Sequence, residues 1–238
     1  MIGPDNRLTI DLYHGTSTLF LDSIVQNGLA GINPVQDWNL VDLCKEVYDL
    51  SEQHLKTTEL FERSAYSLKL MAEQNPSSNS SFNYQHGETY VSPSKMTAIR
   101  YATKKYGSEM LTYTIEFLNE LLKQDIPYVK SELYRKYHQI FGFILAAPSP
   151  LLIQVKKVKV DSLLSEQGDK PDSKLEFISK TLAEVPEMAD SLLQQTNFRL
   201  IQPVEVSNLK IYIVNVKDYN GSLRDYNLYE IHPEPIIS

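Results

Sequence analysis

At 238 residues, with 42% hydrophobic and 22% charged side chains, the chain has the make-up of a globular protein large enough to bury a full core without staples. A net charge of -7 argues against a general affinity for nucleic acid, which needs clustered Lys and Arg, although it leaves room for a local basic groove. The single cysteine, Cys44, excludes an internal disulfide and fits a reducing compartment, where it reads as a small core hydrophobe on a helix. The first residues, Met1 to Arg7, lack the apolar stretch of a secretory signal, and no run approaches the ~18 apolar residues of a membrane span. The expectation is a cytoplasmic protein without a membrane partner, or one exported by a route that needs no signal peptide.

The first informative stretch is Leu12-Tyr13-His14-Gly15-Thr16-Ser17. It predicts a short strand ending in a His-Gly-Thr turn, with His14 at the strand end and Gly15 letting a ligand approach the backbone. A helix follows, capped by Thr16, Ser17 or Thr18, with Phe20, Leu21, Ile24 and Val25 on one face. Asn27-Gly28 stops it. Residues 30–38 read as a loop. Asn39 is a suitable cap for two helical stripes, Leu40 to Leu50 and Leu60 to Ala72, so 39–73 is predicted helical, with Glu59, Glu62 and Lys69 on its solvated face. Residues 75–81 form a polar linker without core-forming side chains.

The second informative stretch runs from Gly87 to Gly107. Thr89-Tyr90-Val91 predicts a strand, and Ser92-Pro93 a helix start. Ala98, Tyr101 and Ala102 share one face of that helix, and Gly107 closes it. Alternation over Leu111, Tyr113, Ile115 and Phe117 predicts a strand. Residues 128–145 read as a helix, with Leu133, Tyr137, Ile140 and Phe141 as its apolar side, ended by Pro148 and Pro150. Residues 151–160 read as a strand with a bulge at Lys156-Lys157. After a loop over 168–172, Leu175, Ile178 and Leu182 open a helix that is interrupted near Pro186 and resumes to about Gln194. Phe198 to Ile201 and Leu209 to Val216 are the last predicted strands, and the tail from Tyr219 has no clear assignment.

Strict strand–helix alternation is missing. So are a glycine-rich phosphate loop, a metal-ligand spacing and a serine-hydrolase elbow. The five histidines, His14, His54, His86, His138 and His232, are scattered. The fold class is α+β, mostly antiparallel, in a single domain over 1–238.

Taken together, the blocks near 12–29 and 87–107 resemble the ADP-ribosyltransferase superfamily, on the branch shared by poly(ADP-ribose) polymerases and diphtheria-type toxins. The His14-Gly15-Thr16 turn, the Gly28-Leu29 pair ending the next helix, the Tyr90 to Tyr101 spacing and the small residue Ala98 carry the resemblance. It implies a split, mostly antiparallel core that uses NAD as co-substrate and needs no metal. His14 would bond the nicotinamide-side ribose, the Gly15 backbone would pair with the carboxamide, and Thr16 would assist at the ribose. Tyr90 and Tyr101 would sandwich the nicotinamide ring beside Ala98, where stacking adds about 0.5–1.5 kcal/mol beyond burial.

Members of the branch usually complete the site with a glutamate at the start of a late strand. Counting back from the last strand places that position at Asn197. Glu205, beyond Pro203, is the rival acid, and Gln195 a third possibility. A neutral amide can bond the ribose but brings no negative charge to the cation that forms there, so chain elongation is not expected. The resemblance therefore implies transfer of a single ADP-ribose unit to a macromolecular acceptor, as in a bacterial toxin or effector, and the net charge of -7 leans to protein over nucleic acid as that acceptor. The alternative is an inactive domain that binds NAD, ADP-ribose or a protein partner. The 39–73 helices stand where the family varies the loop over NAD, as a lid or a target-recognition surface. An ordinary packed pair is the simpler reading.

Overall fold

The computed structural model describes residues 1–74, 88–218 and 225–233. The polar linker expected at 75–81 and the start of the tail lie outside them. In chain order the elements are β1 (Leu12–Ser17), α1 (Leu21–Asn27), α2 (Pro34–Asp37), α3 (Leu40–His54), α4 (Glu59–Glu73), β2 (Thr89–Val91), α5 (Lys95–Ala102) and α6 (Glu109–Lys123). There follow α7 (Tyr134–Phe143), β3 (Pro150–Val155), β4 (Leu163–Ser165), α8 (Asp172–Glu184), α9 (Ala189–Leu192), β5 (Phe198–Leu200), β6 (Leu209–Asp218) and β7 (Asp225–Ile231). Every ladder between these strands is antiparallel, and the fold is α+β.

The chain divides into two compact units. The helical unit comprises Asn33–Gly87 and Glu109–Ala147. Its core is the apolar sides of α3, α4 and α6, including Leu43, Cys44, Val47, Leu68, Met71, Phe117 and Leu121, all essentially buried. Thr58 caps α4 by accepting from the Phe61 N–H at 3.2 Å. Phe61 meets Phe117 edge-on, with ring centroids 6.5 Å apart. Burial pushes the Cys44 thiol up to about 11, as befits a core residue.

Three expectations are corrected in this unit. Residues 111–117 are not a strand but part of α6. Their alternation is a fragment of a longer helical pattern in which Met110, Leu111, Thr114, Ile115, Phe117, Leu118 and Leu121 are buried. The segment read as loop contains the short helix α2. Asn39 precedes α3 in the left-handed region, with φ of 49°, and its side chain makes no cap bond. Only its carbonyl joins the helix, accepting from the Leu43 N–H.

The sheet unit comprises Met1–Ile32, Glu88–Ser108 and Pro148–Ser238. It holds a four-stranded sheet in the order β1-β3-β6-β7 and a three-stranded sheet in the order β2-β5-β4. The edge strands β1 and β2 meet at a single bridge, Tyr13 to Ser92, whose two N–H···O bonds measure 2.7 and 2.8 Å. Helix α5 packs on one face of the larger sheet, where Ala98 and Ile99 join Leu152 and Val214. Gly15 is required there, because a Cβ would sit 1.7 Å from the Ala98 carbonyl oxygen. The close approach at Gly15 is thus made by a helix of the same chain.

β1 runs on through Ser17, pairing Gly15 to Ser17 with Leu152 to Pro150, so His14 lies inside the strand and not at its end. None of the three hydroxyls caps α1. Thr16 is buried in the strand, Ser17 Oγ donates to the Tyr106 carbonyl, and Thr18 Oγ1 accepts from the Ser149 N–H. At the other end Gly28, with φ of 77°, ends α1, and Leu29 then bridges to Val204. α5 starts at Lys95, capped by Ser94, two residues later than Ser92-Pro93 suggests. Ser92 Oγ is engaged instead with the Ser94 N–H and the Thr196 carbonyl. β3 ends at Val155 with no bulge, because Lys157 takes φ of 52° and turns the chain. β4 and β7 are strands that the sequence reading did not place.

Candidate functional site

The site lies where the two sheets of this unit part. In an antiparallel strand, each residue points its N–H and C=O to the same side, and the side alternates along the chain. Tyr13 points both groups at β2, and so does Gly15 two residues later. A continued ladder would join Gly15 to Tyr90. It does not form, and the Tyr90 carbonyl accepts instead from His14 Nδ1 at 2.7 Å. Among the described residues the Gly15 N–H and C=O have no partner on that side. A donor and an acceptor from one glycine therefore face the gap.

The His14 tautomer follows from its partner. A carbonyl can only accept, so Nδ1 carries the proton and Nε2 of the neutral ring is an acceptor. Burial holds the imidazole below its ordinary pKa, and the bond to the Tyr90 carbonyl opposes this only in part. The ring is neutral at pH 7, and among the described residues Nε2 has no hydrogen-bond partner.

The other sequence-derived residues are placed as follows. Tyr90 is half-buried on β2. Its register partner on β5 is Arg199. Ala98 is buried on α5 beneath Gly15, and Tyr101, one turn on, is 45% exposed with the Lys104 ammonium 5.0 Å from its ring centre. Thr16 is 3% exposed, inside the sheet. Asn197 immediately precedes β5 and, by alternation, shares the face of Arg199 and Tyr90. Gln195 is exposed before it. Glu205 lies elsewhere, exposed in a cleft of about 760 Å³ lined by Asp5, Arg7, Lys156 and Asn208. The structure therefore joins His14 with Tyr90 and Gly15 with Ala98, places Asn197 on the Tyr90 face, and links Glu205 by no hydrogen bond to any of these.

Three charged residues on or beside this face escaped the sequence reading. Glu166, just past β4, accepts from Asn197 Nδ2 at 3.1 Å. Lys174, on α8, donates to the Asn197 carbonyl at 2.9 Å and stands 3.6 Å from the Glu166 carboxylate. Arg199 pairs with Glu88 at 3.8 Å, while its buried Nε has no partner among the described residues. Nothing in the local sequence marks these residues, because only the strand order β2-β5-β4 gathers them. Among the described residues no three His, Cys, Asp or Glu side chains gather as a metal site would require, and no helix is long and apolar enough to cross a membrane.

No protein-family profile, curated protein or solved structure matches the chain.

Proposed function

We propose that this chain is an NAD-dependent mono-ADP-ribosyltransferase acting on a macromolecule, with the gap between β1 and β2 as its nicotinamide site. The observation that carries the reading is the unpaired Gly15 backbone beside the His14–Tyr90 bond. A primary carboxamide offers an N–H donor and a C=O acceptor on adjacent atoms. It can take the place of the missing strand partner with both bonds satisfied. His14 Nε2 accepts from a ribose hydroxyl, and the Asn197 amide accepts from another. Tyr90 and Tyr101 supply aromatic surface for the ring.

In the reaction the bond between ribose C1′ and the pyridinium nitrogen breaks, and its electron pair stays with nitrogen. Neutral nicotinamide leaves an oxocarbenium ion. A nucleophilic atom of the acceptor forms the new bond to C1′ and releases its proton. The chain's part is orientation and electrostatic support of the developing cation. The net charge of -7 favours a protein acceptor, and a toxin or effector role fits a single transfer of this kind.

The test is incubation of the purified protein with NAD labelled on its adenylate part, alone and with cell lysate. Release of nicotinamide, with label on a discrete macromolecular band, is the expected result. A second reading rests on the neutral amide at Asn197, which suits a domain that binds NAD without cleaving it. Binding without nicotinamide release would select that reading, and no binding would reject both.

A further inference from the structure

The amide at Asn197 does not act alone. A carboxylate can only accept hydrogen bonds, so Asn197 must present its NH2 to Glu166 and turn Oδ1 the opposite way. Among the described residues that Oδ1 has no hydrogen-bond partner. Lys174 fixes the same residue from its main chain, through the Asn197 carbonyl. The Glu166 and Lys174 side chains are only 21% and 23% exposed, so their charges are felt more strongly than on an open surface. A hydrogen bond from an amide N–H to a carboxylate also pushes electron density toward the amide oxygen.

We infer that Glu166 is the positioning residue of this site: it orients Asn197 and lends its negative charge through the amide, so that Asn197 Oδ1 meets the ribose where a carboxylate would otherwise be needed. The inference rests on the proposed NAD chemistry. The negative charge has moved one strand over, from β5 to the end of β4. Asn197 is the group that touches the ribose, and Glu166 acts only through it.

The test compares wild type, Glu166→Gln and the double variant Glu166→Gln/Asn197→Asp, each for nicotinamide release and for NAD binding by calorimetry. In Glu166→Gln the charge is gone and the amide is free to flip. Its kcat is expected to fall about 10- to 100-fold while the NAD dissociation constant stays within about two-fold, since the loss falls on the transition state. The double variant restores the bond in reverse, with Gln donating and Asp accepting, and puts the charge on the ribose side. Its kcat is expected to return to within about five-fold of wild type. A purely structural role for Glu166 would not give this rescue. Full turnover in Glu166→Gln, or loss without rescue in the double variant, would overturn the inference while leaving the NAD reading intact. Absence of turnover in wild type would overturn both.

Discussion

Glu46 in the helical unit and Glu166 in the sheet unit are each paired with a lysine, and they differ in what happens next. In the helical unit Glu46 takes donors from Lys136, Tyr137 and Tyr128. Burial pushes its carboxyl up, but these hydrogen bonds outweigh it and hold the pKa below the ordinary glutamate range. Burial and the neighbouring carboxylate push Tyr137 up to about 12, so it stays a donor. Every group in that cluster ends on Glu46, which ties the first turn of α7 and the π-helical turn before it to α3. In the sheet unit Glu166 holds Asn197, and the chain of bonds goes on to an amide oxygen that has no partner among the described residues. His14 repeats the pattern, with one ring nitrogen spent on Tyr90 and the other available. Polar groups that use up all their partners build structure, and those that keep one acceptor free inside a packed region make a site.

That contrast can be broken by exchanging effects between the units. The largest effect belongs to Phe117, fully buried in the helical core. Phe117→Ala is expected to cost about 3–5 kcal/mol in urea unfolding, with nicotinamide release per folded molecule unchanged. A fall in turnover beyond the folded fraction would erase the distinction.

His14→Ala is the converse. It is expected to lower nicotinamide release at least about 100-fold, yet to reduce stability by only about 1 kcal/mol, the worth of its bond to the Tyr90 carbonyl. Equal losses in both would make His14 a structural residue.

Glu46→Gln is the structural counterpart of Glu166→Gln. A lower urea midpoint and unaltered nicotinamide release are expected, because the Glu46 hydrogen bonds stay within the helical unit.

The smallest effect is a pH dependence. The folded chain holds His14 neutral, with its pKa lowered, while the unfolded chain protonates it near the ordinary value of about 6.5. The unfolded state therefore binds the extra proton, so stability is full above about pH 6.5 and declines as pH falls from there toward the folded pKa. His14→Gln should lose that portion of the acid sensitivity in urea titrations at pH 5 and pH 7.5.

Much of this arrangement can be read in the sequence, and the gaps have physical causes. The His14 and Tyr90 blocks are legible because strand-forming runs and helix stops flank them closely. α3 and α4 are legible because their apolar stripes run over four turns. Residues 111–117 misled because seven residues of helix can alternate, and only Met110, Leu118 and Leu121 reveal the longer period. β7 is half-buried or exposed throughout, and only its ladder to β6 makes it a strand. Glu166 could not be found at all, since 31 residues separate it from Asn197 and only the pairing of β4 with β5 brings them together. The open backbone of Gly15 is likewise a property of two strands parting, which no local pattern encodes.

The most direct measurement follows the Gly15 amide itself. Nicotinamide would be titrated into 15N-labelled protein while the glycine N–H signals are monitored, with Gly142 of the helical unit as the internal control. A saturable shift is expected at Gly15 and none at Gly142, abolished in His14→Ala. A Gly15 signal that stays unmoved up to the solubility limit of nicotinamide would contradict the claim that this gap is a carboxamide site.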